Sequence, residues 1–194
     1  MRIFPLLTLV AVFAAPVALY ATPITYTDSF IGTGSLGATS FTDQLVTLTG
    51  VGDTDNVYEY EPRILVNIVP TTVSIAGGAT GTFTDPIRFL SNRDFSLVGV
   101  TDFAVQSGIL FTTNDVFEPY ELTTAIGPVT GSSSIRSGMS FATSSGAFTM
   151  TSVGDSTFTA TLAPAAVPEP SSLVLLGTGA LGVLGMMKRK LFTA

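Results

Sequence analysis

The chain has 194 residues, no cysteine, no histidine and a formal net charge of −6, from eight Lys and Arg against fourteen Asp and Glu. Without His or Cys there is no Ser-His-Asp triad, no thiolate nucleophile and no zinc site of the ordinary His and Cys kind, and stability must come from the core without disulfides. The acidic balance argues against a nucleic-acid surface, which needs clustered Lys and Arg.

The chain opens with Arg2, an apolar run from Ile3 to Ala15, and Leu19-Tyr20-Ala21 before polar Thr22. A cation, an apolar core and a small residue, in that order, make a secretory signal over 1–21, with cleavage after Ala21. Its expected partners are the export translocon and signal peptidase. The length that follows suits one domain with a real core, expected over 22–162. This segment keeps Arg63, Arg88, Arg93 and Arg136 as its only cations, against every acid except Glu169. It should therefore be repelled by anionic lipid surfaces.

Short stretches of this middle alternate apolar residues with Thr or Ser, as in QLVTLT (44–49), AFTMT (147–151) and TFTATL (157–162). A period of two predicts strands with one wet face. Gly and Asx clusters at 50–53, 77–78, 91–94, 113–115 and 153–156 predict turns between them, the last closing a hairpin. ILVNIV (64–69) is almost wholly apolar and β-branched, and predicts a central strand covered on both faces. No part of 22–162 shows a 3.6-residue stripe, so the expected class is all-β, a sandwich or jelly roll of short antiparallel strands flanked by an N-terminal signal helix and a C-terminal transmembrane helix. Phe41-Thr42-Asp43 recurs as Phe83-Thr84-Asp85, which reads as repeated turn chemistry rather than a repeat architecture.

Three groups in the domain invite chemistry. Glu59 and Glu61 would share one face of a strand with backbones about 6 to 7 Å apart, a separation that could bring two carboxyls to glycosidase spacing, while Tyr58 and Tyr60 point the other way. Against catalysis, charges just before Pro62 protect a strand end. Glu118 and Glu121 flank Pro119-Tyr120 and read as a polar loop. Asp53, Asp55 and Asn56 form the richest oxygen cluster, a weak calcium candidate. Its register fails the EF-hand, with Val57 and Tyr58 inside the loop and Ile64 in place of the closing Glu, and favours an Asx-rich turn. No cofactor is expected, and the chain reads as a non-enzyme.

Beyond a Pro/Ala linker over 163–170, an apolar run over 171–187 precedes a basic tail over 188–194. The fifteen residues from Leu173 to Met187 make a helix of roughly 22 Å against a hydrocarbon core of roughly 30 Å. Ser171, Ser172 and a snorkelling Lys188 extend it, and Lys188-Arg189-Lys190 should stay cytoplasmic. Gly179, Gly182 and Gly185 line one side and would admit a second helix. Pro168 and Pro170 hold Glu169 in an extended, accessible segment that cannot join the helix.

Val167-Pro168-Glu169-Pro170, the short glycine-bearing span and the terminal cations resemble the tripartite PEP-CTERM sorting signal of exported bacterial proteins. The resemblance implies an exosortase-type membrane protease that cuts near the motif, a transient stay in the inner membrane, and a final place at the cell surface or outside the cell. It also implies a Gram-negative host that makes exopolysaccharide. The stretch from Thr25 to Val57, with Gly32-Thr33-Gly34 and Gly52-Asp53-Thr54-Asp55-Asn56-Val57, resembles central domains joined to such tails. The expected function is an exported surface or matrix protein whose non-catalytic domain associates with exopolysaccharide or with itself. The alternatives are a glycan-active enzyme and an ice- or surface-binding protein, the latter suggested by threonines flanking Phe83, Met150 and Phe158 but opposed by their irregular spacing in the sequence.

Overall fold

The computed structural model describes residues 22–164 and Gly177. The secretory segment with Ala21, the motif Val167-Pro168-Glu169-Pro170, the cations Lys188-Arg189-Lys190 and, apart from Gly177, the apolar run over 171–187 lie outside the described residues. Among the described residues no helix is long and apolar enough to cross a membrane.

The domain is all-β. Its strands are β1 (Pro23–Leu36), β2 (Thr39–Asp53), β3 (Tyr58–Glu61), β4 (Ile64–Val69), β5 (Thr71–Ile75), β6 (Thr80–Thr82), β7 (Ile87–Asn92), β8 (Leu97–Asp102), β9 (Ser107–Thr113), β10 (Ile126–Ser134), β11 (Ser140–Thr143) and β12 (Gly146–Leu162). All pair antiparallel in one sheet of order β3-β4-β7-β8-β9-β10-β12-β1-β2-β5-β6, with β11 on β12. The sheet turns a corner at β10, which pairs with β12 through Ile126 to Gly131 and with β9 through Ser132 to Ser134. Small residues suit that corner: a side chain at Gly131 would meet the Thr113 carbonyl oxygen at 2.2 Å.

The two halves therefore face each other as a sandwich. Tyr26 of β1 stacks on Phe89 of β7 with centroids 5.0 Å apart, and Phe158 of β12 meets Phe117 edge-on at 5.7 Å. The buried Tyr26 hydroxyl donates to the Leu122 carbonyl oxygen (2.7 Å) and accepts from Asn67 Nδ2 (3.0 Å), so the polar end of the ring is satisfied inside the core. Burial alternates along β1, where Ile24, Tyr26, Asp28 and Phe30 face inward, as period-two patterning requires. Phe41 and Phe83, the two recurring aromatics, both pack on Phe148.

Four expectations are corrected. The strands are not all short, since β1, β2 and β12 run 14, 15 and 17 residues. Residues 50–53 are not a turn: β2 passes straight through them, and Gly50 and Gly52 are floors onto which Phe89 and Val69 settle from the opposite half. Residues 153–156 close no hairpin; they form an irregularity inside β12, whose pairing with β1 jumps from Phe30–Ser156 to Gly32–Val153. The ILVNIV strand β4 lies one place from the sheet edge rather than at its centre; Asn67 and Val69 are buried on one face, while the other is covered at Val66 and exposed at Ile68. The predicted turn at 77–78 connects strands, and that at 91–94 does so from Arg93 onward, Ser91 and Asn92 still belonging to β7; Gly77 and Gly78 hold φ of 100° and 108°, a region that favours glycine.

Candidate functional site

The outer face of β4, β7 and β8 carries an aromatic cluster around one arginine. Antiparallel register places Ile68 beside Arg88 and Arg88 beside Thr101, and the adjoining row reads Tyr58, Val66, Leu90, Gly99, Phe111. Phe111 lies flat over two glycines: a Cβ on Gly99 or Gly108 would come within 2.4 or 2.1 Å of its ring. The Arg88 guanidinium carbon sits 5.3 Å from the Tyr60 ring centroid and 4.7 Å from that of Phe103, which comes from the turn after β8. Such a clamp contributes up to about 2 kcal/mol when it is desolvated. Arg88 is only 7 % exposed, yet its Nε has no hydrogen-bond partner and the ion pairs among the described residues use Arg63 and Arg93 instead.

Around this cation Tyr58, Tyr60, Ile68 and Phe103 are 40–46 % exposed. Next to Ile68 a groove of about 280 Å³ runs between Pro70, Phe83, Asp85 and Pro86. An apolar, aromatic face with a single charged donor at its centre is the composition of a ligand surface rather than of an ordinary solvated strand face. Sequence reasoning did not find it, because residues 60, 88 and 103 meet only through strand register. The alternation of Tyr58 and Tyr60 was the one local signal.

The other candidates are placed as follows. Glu59 and Glu61 sit on β3, but the register slips between them, so the regular alternation that set their spacing fails. Glu59 Oε1 accepts the backbone N–H of Arg63 at 3.0 Å. Glu118 and Glu121 lie apart from that strand, on an open cleft of about 300 Å³ lined also by Arg63 and Arg93. Arg93 Nη1 donates to Glu121 at 2.6 Å, and Arg63 reaches Asp94 at 2.5 Å and Glu118 at 3.8 Å. These are exposed ion pairs, each contributing about 1 kcal/mol or less. Asp53 accepts from the Asp55 backbone N–H at 2.9 Å and caps the 3-10 turn Thr54–Asn56, which is the Asx geometry expected there. Among the described residues no group of three or more Asp and Glu is arranged to hold a metal ion.

One carboxylate stands deep inside. Asp28 is fully buried between the halves; Thr112 donates to its Oδ2 at 2.8 Å and in turn bonds Ser156, which bonds Ser133, while Oδ1 has no partner. Burial pushes the Asp28 carboxyl up from 3.8 to about 7, against the smaller opposing pull of the Thr112 hydroxyl and the Ser29 backbone.

The chain matches the family model described as the PEP-CTERM protein-sorting motif over residues 166–190. No curated protein and no solved structure matches it. The motif supports an exported protein sorted through an exosortase, made as a membrane-anchored precursor and processed to the cell surface.

Proposed function

We propose that this exported protein acts outside the cell as a non-catalytic matrix component, its β domain holding neutral polysaccharide on the face built by Tyr58, Tyr60, Arg88 and Phe103. The observation that carries this reading is Arg88, held between the Tyr60 and Phe103 rings with its buried Nε left without a partner, at the centre of a face of exposed aromatics. Aromatic faces receive the C–H faces of sugars, and a charged guanidinium gives strong hydrogen bonds to hydroxyls. A neutral polymer suits the surroundings better than an acidic one, because Glu59 and Glu61 lie on the same strand as Tyr60 and the domain is acidic as a whole. Sorting to the surface would bring the domain to such polymers.

Affinity electrophoresis of the purified protein through gels containing neutral polysaccharides tests the proposal. Retardation is expected for at least one polymer, reduced about tenfold in affinity by Tyr60→Ala or Phe103→Ala, about 1.4 kcal/mol per site. Unretarded migration in every polymer would remove polysaccharide from the account, and variants retarded as strongly as wild type would remove this face as its site.

A further inference from the structure

On the opposite half the pairing register assembles hydroxyl groups into a net. One row crosses six strands as Thr130, Thr157, Ser29, Thr47, Ser74 and Thr80. The neighbouring row crosses five as Thr159, Thr27, Thr49, Thr72 and Thr82. These positions alternate with buried ones (Asp28, Leu48, Val73, Phe158), so they share the outer face. Neither row contains a charged or an aromatic residue.

We infer that this outer face, centred on β12, β1 and β2, binds ice. Adjacent strands lie about 4.8 Å apart and alternate residues along a strand about 6.7 Å apart, so the hydroxyls form a nearly rectangular net. Ice is a surface of the same character: uncharged, periodic in two directions, with every oxygen able to donate and to accept. A Ser or Thr hydroxyl does both as well. Of the threonines flanking Phe83, Met150 and Phe158, Thr82, Thr157 and Thr159 join these rows, where register aligns them with Thr27, Thr47, Thr49 and Thr72, which the chain order scatters.

The net is also preorganised. Threonine is stiff at χ1, and lateral contacts hold neighbours: Thr130 with Thr157 at 2.8 Å and Ser29 with Thr47 at 3.4 Å between side-chain oxygens. Strand propensity and solubility alone explain threonines on a wet face, but such a face ordinarily intersperses Lys, Glu and Asp among them. Charges keep their own hydration shells and would hold ice away. Twist of roughly 20–25° per strand limits coplanar contact to about three strands, which is why Thr157, Thr159, Ser29, Thr27, Thr47 and Thr49 form the centre. A sugar polymer is the poorer occupant, since this face has neither the ring nor the guanidinium that Tyr60 and Arg88 supply elsewhere.

The test is thermal hysteresis, together with partition of the protein into a slowly growing ice front, for purified wild type and for the double variant Thr27→Lys/Thr49→Lys. Glu118→Gln, on the open cleft of the other half, serves as the control. Wild type and Glu118→Gln should both depress freezing below melting and enter the ice; the double variant, with an unchanged β-type spectrum, should lose about tenfold in activity, as expected when a central contact is lifted. If Thr27→Lys/Thr49→Lys does not fold, Thr157→Lys alone replaces it with the same expectation. Exclusion of folded wild type from ice, or full activity in the lysine variants, overturns the assignment, as does adsorption to crystalline cellulose without ice activity.

Discussion

Asp28, buried with one oxygen unpartnered, couples the fold to pH. The unfolded chain ionises it near the ordinary 3.8, the folded chain near about 7. Between those values the folded state binds more protons, so stability falls as pH rises. This contribution is fully present below about pH 4, declines through about pH 7 and is then constant, amounting to a few kcal/mol at most. Asp28→Asn keeps the shape and cannot ionise. Thermal melts at pH 5 and pH 8 should show the wild type losing stability across the interval and the variant losing much less, with the variant ahead at pH 8. A wild-type melting temperature that is flat or rises between these values would mean that Asp28 is not the buried acid described. Nothing in the sequence around Asp28 marked it, because its partner Thr112, and Ser156 and Ser133 behind Thr112, come from three other strands.

At the scale of elements, the glycines separate what could be read from what could not. Period-two alternation over 44–49 and 157–162 identified strands because side-chain direction is a local property. Gly50-Val51-Gly52-Asp53 looked like a turn because turns and close approaches both favour glycine, and only the opposite half shows which applies. A Cβ on Gly50 would stand 2.4 Å from Phe89 Cε2 and 2.6 Å from Val69 Cγ2. Gly50→Ala should therefore destabilise by about 1–3 kcal/mol through overpacking, read as a lower midpoint in urea with an unchanged slope. A midpoint equal to wild type would indicate a loose turn at this position after all. The same locality explains β12, where Gly154 and Asp155 suggested a reversal but sit in a register irregularity of one long strand. It also explains the aromatic face and the hydroxyl net, both products of register between distant strands.

At the scale of the whole molecule, the described domain and the sorting motif divide the work. The domain holds itself together by an aromatic and β-branched core without disulfides, as its composition required. The motif over 166–190 governs its route. The order of its parts in the sequence suits a temporary membrane stay: a Pro-Glu-Pro, then a short apolar run interrupted by glycines, then three adjacent cations. A permanent anchor would gain from a longer, leucine-rich helix. Intact-mass measurement of the protein from its native host tests this most directly, with Glu169→Ala alongside. The expected wild-type species begins at Thr22 and ends in the neighbourhood of Pro168-Glu169-Pro170, while Glu169→Ala accumulates as an uncut membrane-bound form. A mature wild-type protein that still contains Met187 and Lys190 would contradict processing and leave a single-span anchor in its place.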